Sequence, residues 1–140
     1  MSFLLDTNLV SEWVKPMPDP GVVTWSDAID EDRVFLSVIT LAELRHGVER
    51  LAQSRRRAQL EAWLDDELPS RFEGRVLPVD ADVAHVWGRL VARSHDRGRP
   101  LGIMDAFVAA TAYVHGLTVV TRNAEHFQVT EVPLHNPWRT

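Results

Sequence analysis

The chain contains no cysteine. That excludes disulfides and thiolate-bound metal sites, and it suits a reducing compartment. It has a single lysine, Lys15, and the other 14 of its 15 basic residues are arginines. Any phosphate recognition therefore falls mainly to arginine, whose planar fork matches phosphate oxygens. No apolar run approaches the length of a membrane span. Phe3-Leu4-Leu5 runs straight into Asp6, so no basic-then-apolar leader is expected. Together these absences predict a soluble cytoplasmic protein with no membrane partner. Repeats, low-complexity tracts and linkers are also absent. With 45% hydrophobic residues, the 140 residues are expected to form one compact domain over 1–140. The net charge of −5, from 20 acidic and 15 basic residues, argues against nucleic-acid binding through overall charge. It leaves open a local basic rim around an acidic site.

Short β-type runs alternate with longer helical ones. Phe3-Leu4-Leu5 is followed by a helix expected to reach about Lys15, stopped by Pro16, Pro18 and Pro20. A second helix is expected over 22–29, and a strand over 33–36. Ser37 or a neighbour then starts a helix with Leu41, Leu44, Val48 and Leu51 on one stripe. A charged amphipathic helix is predicted over 55–68, a strand over 75–79 and a helix over 81–94. An apolar helix follows from about Ile103 and stops at Gly116, a natural helix terminator. A β-branched strand over 117–121 and an edge strand over 131–134 complete the pattern. Strands separated by helices predict an α/β fold with a parallel, doubly wound central sheet.

Asp105 is the only acid in the run 103–115, which reads as a helix apolar on all sides and therefore buried. A buried carboxylate needs a partner. Two uses are open: a first-turn acid at the positive end of the helix dipole, or a ligand of a shared cation. In open α/β sheets, ligands bind beyond the carboxyl ends of the strands. Asp6 lies at such an end and Asn123 just past another. Glu43 lies about two turns into the helix after the 33–36 strand. Each has an ordinary use too: Asp6 as a helix cap, Glu43 as a solvated residue, Asn123 in a turn. Carboxylates gathered together repel unless a cation joins them, and hard oxygen donors suit Mg²⁺ or Mn²⁺. Such an ion supports phosphodiester hydrolysis by lowering the pKa of a water and stabilising charge on phosphate.

Taken in order, 3–8 (Phe-Leu-Leu-Asp-Thr-Asn), Ser37 with 41–47 (Leu-Ala-Glu-Leu-Arg-His-Gly), Asp105-Ala106, and 121–127 (Thr-Arg-Asn-Ala-Glu-His-Phe) resemble the PIN-domain family. The likeness is strongest to VapC/FitB-type toxins of bacterial toxin–antitoxin pairs, and it runs from Phe3 to about Pro137. It implies a three-layer α/β/α PIN-like fold with a mainly parallel sheet. It implies a Mg²⁺- or Mn²⁺-dependent endoribonuclease with Asp6, Glu43 and Asp105 as the metal-binding acids. Asn123 falls where many members carry a fourth acid. Thr7 and Thr121 fall where the family has small polar residues, implying hydrogen bonds to carboxylates or water. The resemblance further implies an RNA substrate, a homodimer and a small cognate antitoxin, with DNA reached only through that antitoxin.

Five tryptophans (Trp13, Trp25, Trp63, Trp87 and Trp138) are candidates for core or interface. Arg45, Arg50, Arg97, Arg99 and Arg122 are candidates for phosphate contacts. The six histidines show no ligand spacing. His46, one turn from Glu43, is the one singled out as a proton shuttle. Two competing readings remain. One is a haloacid dehalogenase-like phosphatase with Asp6 as nucleophile, a chemistry that calls for a second Asp where Asn8 stands. The other is a catalytically silent PIN module that acts by binding its antitoxin.

Overall fold

The computed structural model describes residues 1–138. Among these, five strands form one sheet in which every pairing is parallel: β1 (Phe3–Leu5), β2 (Val34–Ser37), β3 (Val76–Leu77), β4 (Thr118–Val120) and β5 (Leu134–His135). Their spatial order is β3-β2-β1-β4-β5. The chain builds outward from β1 in one direction and then returns to build in the other. The order therefore reverses between β1 and β4, where an open α/β sheet forms its crevice.

Strand side chains alternate between two cores, as a period of two requires. Phe3, Leu5, Val34, Leu36 and Val120 enter one buried cluster, with Val22 and Leu44 from helices and Phe72 just past one. Leu4 and Val119 enter the other, with Val83, Leu90, Val108 and Ala109. The first cluster is covered by α1 (Thr7–Glu12), α2 (Pro20–Ala28), α3 (Val38–Glu49), α4 (Arg55–Ala62) and α5 (Leu68–Arg71). The second is covered by α6 (Ala81–Asp96), α7 (Ile103–His115) and the short α8 (Ala124–Phe127). These layers form a three-layer α/β/α architecture, as expected from the sequence.

Several element boundaries differ from the sequence reading for identifiable reasons. The helix expected over 55–68 is broken by a π-helical turn at Trp63–Glu67. Pro69 lacks an N–H and its ring crowds the carbonyl one turn earlier, so the wider turn relieves a clash that regular helix would create. The first helix ends at Glu12, short of Lys15. The last strand is Leu134–His135, because 3₁₀ turn Gln128–Thr130 and a left-handed Glu131 occupy its expected start. Helix α7 is buried on all sides over its middle, where Ala106 and 108–112 are covered, whereas Ile103, Met104 and Tyr113 near its two ends are exposed. It does stop at Gly116, whose φ of 65° is the left-handed conformation that glycine adopts without steric cost. All five tryptophans are partly buried against the two clusters, so they serve the core at its margins.

Candidate active site

Asp6 follows β1 directly and is the N-cap of α1, with Oδ1 accepting from the Thr7 N–H at 2.9 Å. Its other oxygen accepts from the Thr121 hydroxyl at 2.7 Å and from the Asn8 amide at 3.3 Å. The capping use and the crevice position are therefore both realised in one residue. Thr121 follows β4, so its bond to Asp6 ties together the two strands between which the sheet order reverses. Asn8 completes this knot. Its amide also reaches Thr121 Oγ1 at 3.4 Å, and its oxygen accepts from the Arg122 N–H at 3.2 Å. Position 8 is thus a strut, with no second acid for an aspartyl-phosphate chemistry.

Glu43 projects from α3, a helix capped by Ser37, whose hydroxyl accepts from the Ile39 N–H at 3.0 Å. The Thr7 hydroxyl donates to Glu43 Oε1 at 2.6 Å. Asp105 sits in the first turn of α7, where the helix dipole favours a carboxylate. It makes no capping bond, and among the described residues its oxygens accept no hydrogen bond. Asp6, Glu43 and Asp105 line one open cavity of about 350 Å³, together with Thr7, Asn8, Asn123 and Arg122. Asn123 is exposed at its rim. Its N–H donates to Thr121 Oγ1 at 3.0 Å, and its side chain does not cap α8. Thr121 stands behind Asp6, buried, and is not in the wall.

The electrostatics match this gathering. Burial pushes the Asp6 carboxyl up to about 6, against the lowering effect of its Thr121 and Thr7 hydrogen bonds, and the charges of Asp105 and Glu43 push the same way. Asp105 is also raised, by burial and by Glu43, with His126 opposing. His126 is thus the histidine whose charge acts on Asp105. His46 is exposed and outside the cavity wall. His126 lines a second cleft of about 400 Å³ with Arg99 and Glu125, and Asp105 is the residue shared by both clefts. Arg45 is paired with Asp65, and Arg97 with Glu131. Arg122 alone of the five candidate arginines enters the cavity wall.

Three wall residues were not singled out from sequence: Ser11, Glu12 and Lys15. Glu12 is buried although acidic. Lys15 Nζ and the Asp19 N–H each donate to it at 2.9 Å. Burial would raise its carboxyl, but these bonds, the Lys15 charge and the Trp138 side chain hold it below the usual range. The signal was available: positions 8, 12 and 15 fall on one helical face one turn apart. Trp138, also in the wall, had no local signal, since it arrives from the far end of the chain.

Lys15 is committed to Glu12, so three carboxylates face Arg122 alone across the cavity. That imbalance equals the charge of one divalent cation. Among the described residues no three His, Asp or Glu side chains stand close enough to enclose a metal. Mg²⁺ does not require that, because it retains waters and takes one or two carboxylates besides substrate oxygens. Oxygen donors, raised carboxyls and unbalanced charge together fit a hydrated divalent ion.

Residues 3–132 match the PIN domain family. Toxin FitB of Neisseria gonorrhoeae is 38% identical over 96% of this chain and 97% of its own length. VapC ribonuclease Y4jK of Sinorhizobium fredii is 38% identical over 96% of both chains. A solved structure of FitAB bound to an IR36 DNA fragment contains a chain that superposes with a TM-score of 0.93. It is 36% identical, covering 99% of this chain and 96% of that one. Sheet order, crevice and similarity over nearly the whole length agree that this chain belongs to the PIN-domain family, in the group that includes FitB and VapC proteins.

Proposed function

We propose that this chain is the toxin of a toxin–antitoxin pair and acts as a Mg²⁺- or Mn²⁺-dependent endoribonuclease. The observation that carries the reading is the convergence of Asp6, Glu43 and Asp105, from three separate elements, on one cavity at the sheet's point of reversal. The names of FitB, a toxin, and Y4jK, a ribonuclease, support it. So does the FitAB complex, which supports a small antitoxin partner and contact with DNA by way of that partner. We extend the proposal to a homodimer, for which Ile103, Met104 and Tyr113 supply exposed apolar surface.

In this mechanism Asp6, Glu43 and Asp105 hold the cation. When bound, it supplies a water of lowered pKa and charge compensation at the phosphodiester. The protein's own task is to keep the acids ionised and aimed. Thr121, Asn8 and the Thr7 N–H fix both oxygens of Asp6. The Thr7 hydroxyl fixes one oxygen of Glu43 and leaves the other free. Asp105, whose oxygens accept no hydrogen bond among the described residues, can turn toward a ligand. Asn123 offers a neutral amide at the rim, where it can accept or donate to a water or a ribose hydroxyl. Arg122 supplies the positive charge that an incoming phosphate backbone requires.

Purified protein incubated with single-stranded RNA tests the reading. Cleavage is expected with Mg²⁺ or Mn²⁺, loss in EDTA, and recovery when the metal is restored. Cleavage that continues undiminished in EDTA would contradict it.

A further inference from the structure

One wall of the acidic cavity is built from groups that holding a cation does not use. Trp138 packs against the core beneath α1 and presents its indole to the cavity. Its backbone N–H donates to Asn136 Oδ1 at 2.9 Å, and its side chain helps to hold the carboxyl of buried Glu12, itself braced by Lys15, below the usual range. The Arg122 guanidinium lies 6.0 Å from the centre of the indole ring. Arg122 is exposed, and among the described residues its guanidinium makes no hydrogen bond or ion pair. By contrast, Arg45, Arg57, Arg71, Arg75 and Arg97 are all paired with carboxylates.

A separation of 6.0 Å is the outer limit for a cation–π contact. A flat ring between two van der Waals partners, at about 3.5 Å from each, needs about 7 Å. The pair therefore stands about one ångström short of admitting a planar group, and its unpaired member can move that far. We propose that Trp138 and Arg122 form a clip that stacks one nucleobase of a single-stranded RNA at the mouth of the acidic cavity. This rests on the ribonuclease reading above and adds to it the residues that position the strand. Stacking tolerates any base, because every base has a π face, so the clip sets the place of cleavage along the strand without dictating sequence. Arg122 also meets the backbone charge that the carboxylates repel. Glu12 is a positioning residue here, acting through Trp138 and Lys15.

The test measures binding of a 2′-O-methyl oligoribonucleotide, which resists cleavage, by fluorescence anisotropy. KM and kcat are measured on the unmodified strand. Trp138→Ala is expected to weaken binding about tenfold, the scale of losing one stacked base. It should raise KM more than it lowers kcat. Trp138→Phe should recover most of the binding, since it keeps a ring although it loses the indole N–H beside Glu12. A purely structural role through Glu12 would show no such rescue. Arg122→Ala changes an exposed residue and leaves folding intact. It should weaken binding severalfold and reduce the salt slope by about one. If Arg122→Ala and Trp138→Ala both bind like wild type while wild type still cleaves RNA, the clip is wrong and the ribonuclease reading stands. If wild type neither binds nor cleaves single-stranded RNA, both fall.

Discussion

Asp6 carries the clearest tension between stability and function. Its carboxyl is raised from 3.8 to about 6 in the fold, so the folded chain holds a proton that the unfolded chain has released between those values. Stability from this group is therefore full below about pH 4, declines as pH rises to about 6, and stays low above that. The shift corresponds to a cost of about 3 kcal/mol at neutral pH. Asp6→Asn keeps an N-capping oxygen and removes the charge. In EDTA at pH 7.5 the variant should be more stable than wild type by about 1–2 kcal/mol in urea melts. The advantage should shrink toward zero near pH 4. An advantage that is constant with pH would mean the carboxylate is not under this strain. Asp105 is the converse case. Its first-turn place suits the dipole, yet among the described residues its oxygens accept no hydrogen bond, so position in the helix does not fully account for it.

At the scale of elements, the site depends on how three helices begin. Asp6 caps α1, Ser37 caps α3 and Asp105 stands in the first turn of α7. Ser37 is fully buried and is the last residue of β2 as well as the cap, so it sets the angle at which Glu43 leaves the sheet. Ser37→Ala should lower stability by about 1 kcal/mol, read from the urea midpoint. A change within error would show that the cap bond contributes nothing at this junction. Much of this frame was legible in sequence. The Ser37 cap, the Gly116 stop and the strand runs each have a local physical cause in neighbouring residues. The π turn at Trp63–Glu67 was not legible, because it arises from one proline acting on a helix that composition otherwise favours. Nor was the exposure of Ile103, Met104 and Tyr113, since an apolar run does not say how far toward its ends the covering elements reach. The place of Trp138 in the wall was not legible for a related reason: it is reached only once the two ends of the chain are brought together.

For the molecule as a whole, the parallel sheet does the gathering. Its order places the ends of β1 and β4 side by side, and the Thr121–Asp6 bond closes that junction across 115 positions of sequence. Around it lie acids that repel one another, a guanidinium that among the described residues makes no hydrogen bond or ion pair, and an indole wall. The overall charge of −5 is thus compatible with the proposed RNA-cleaving role, because charge is arranged locally and a divalent ion would complete it. The central claim is that Asp6, Glu43 and Asp105 serve one shared cation. It is tested most directly by single-turnover RNA cleavage in Mn²⁺ with Asp6→Asn, Asp105→Asn and the double variant. Each single change should lower the rate by about 10²–10³-fold, the scale of losing one group that stabilises transition-state charge. The double variant should lose little more than either single one, because groups that act as a unit are not additive. Losses that multiply, or single variants that cleave like wild type, would contradict the account.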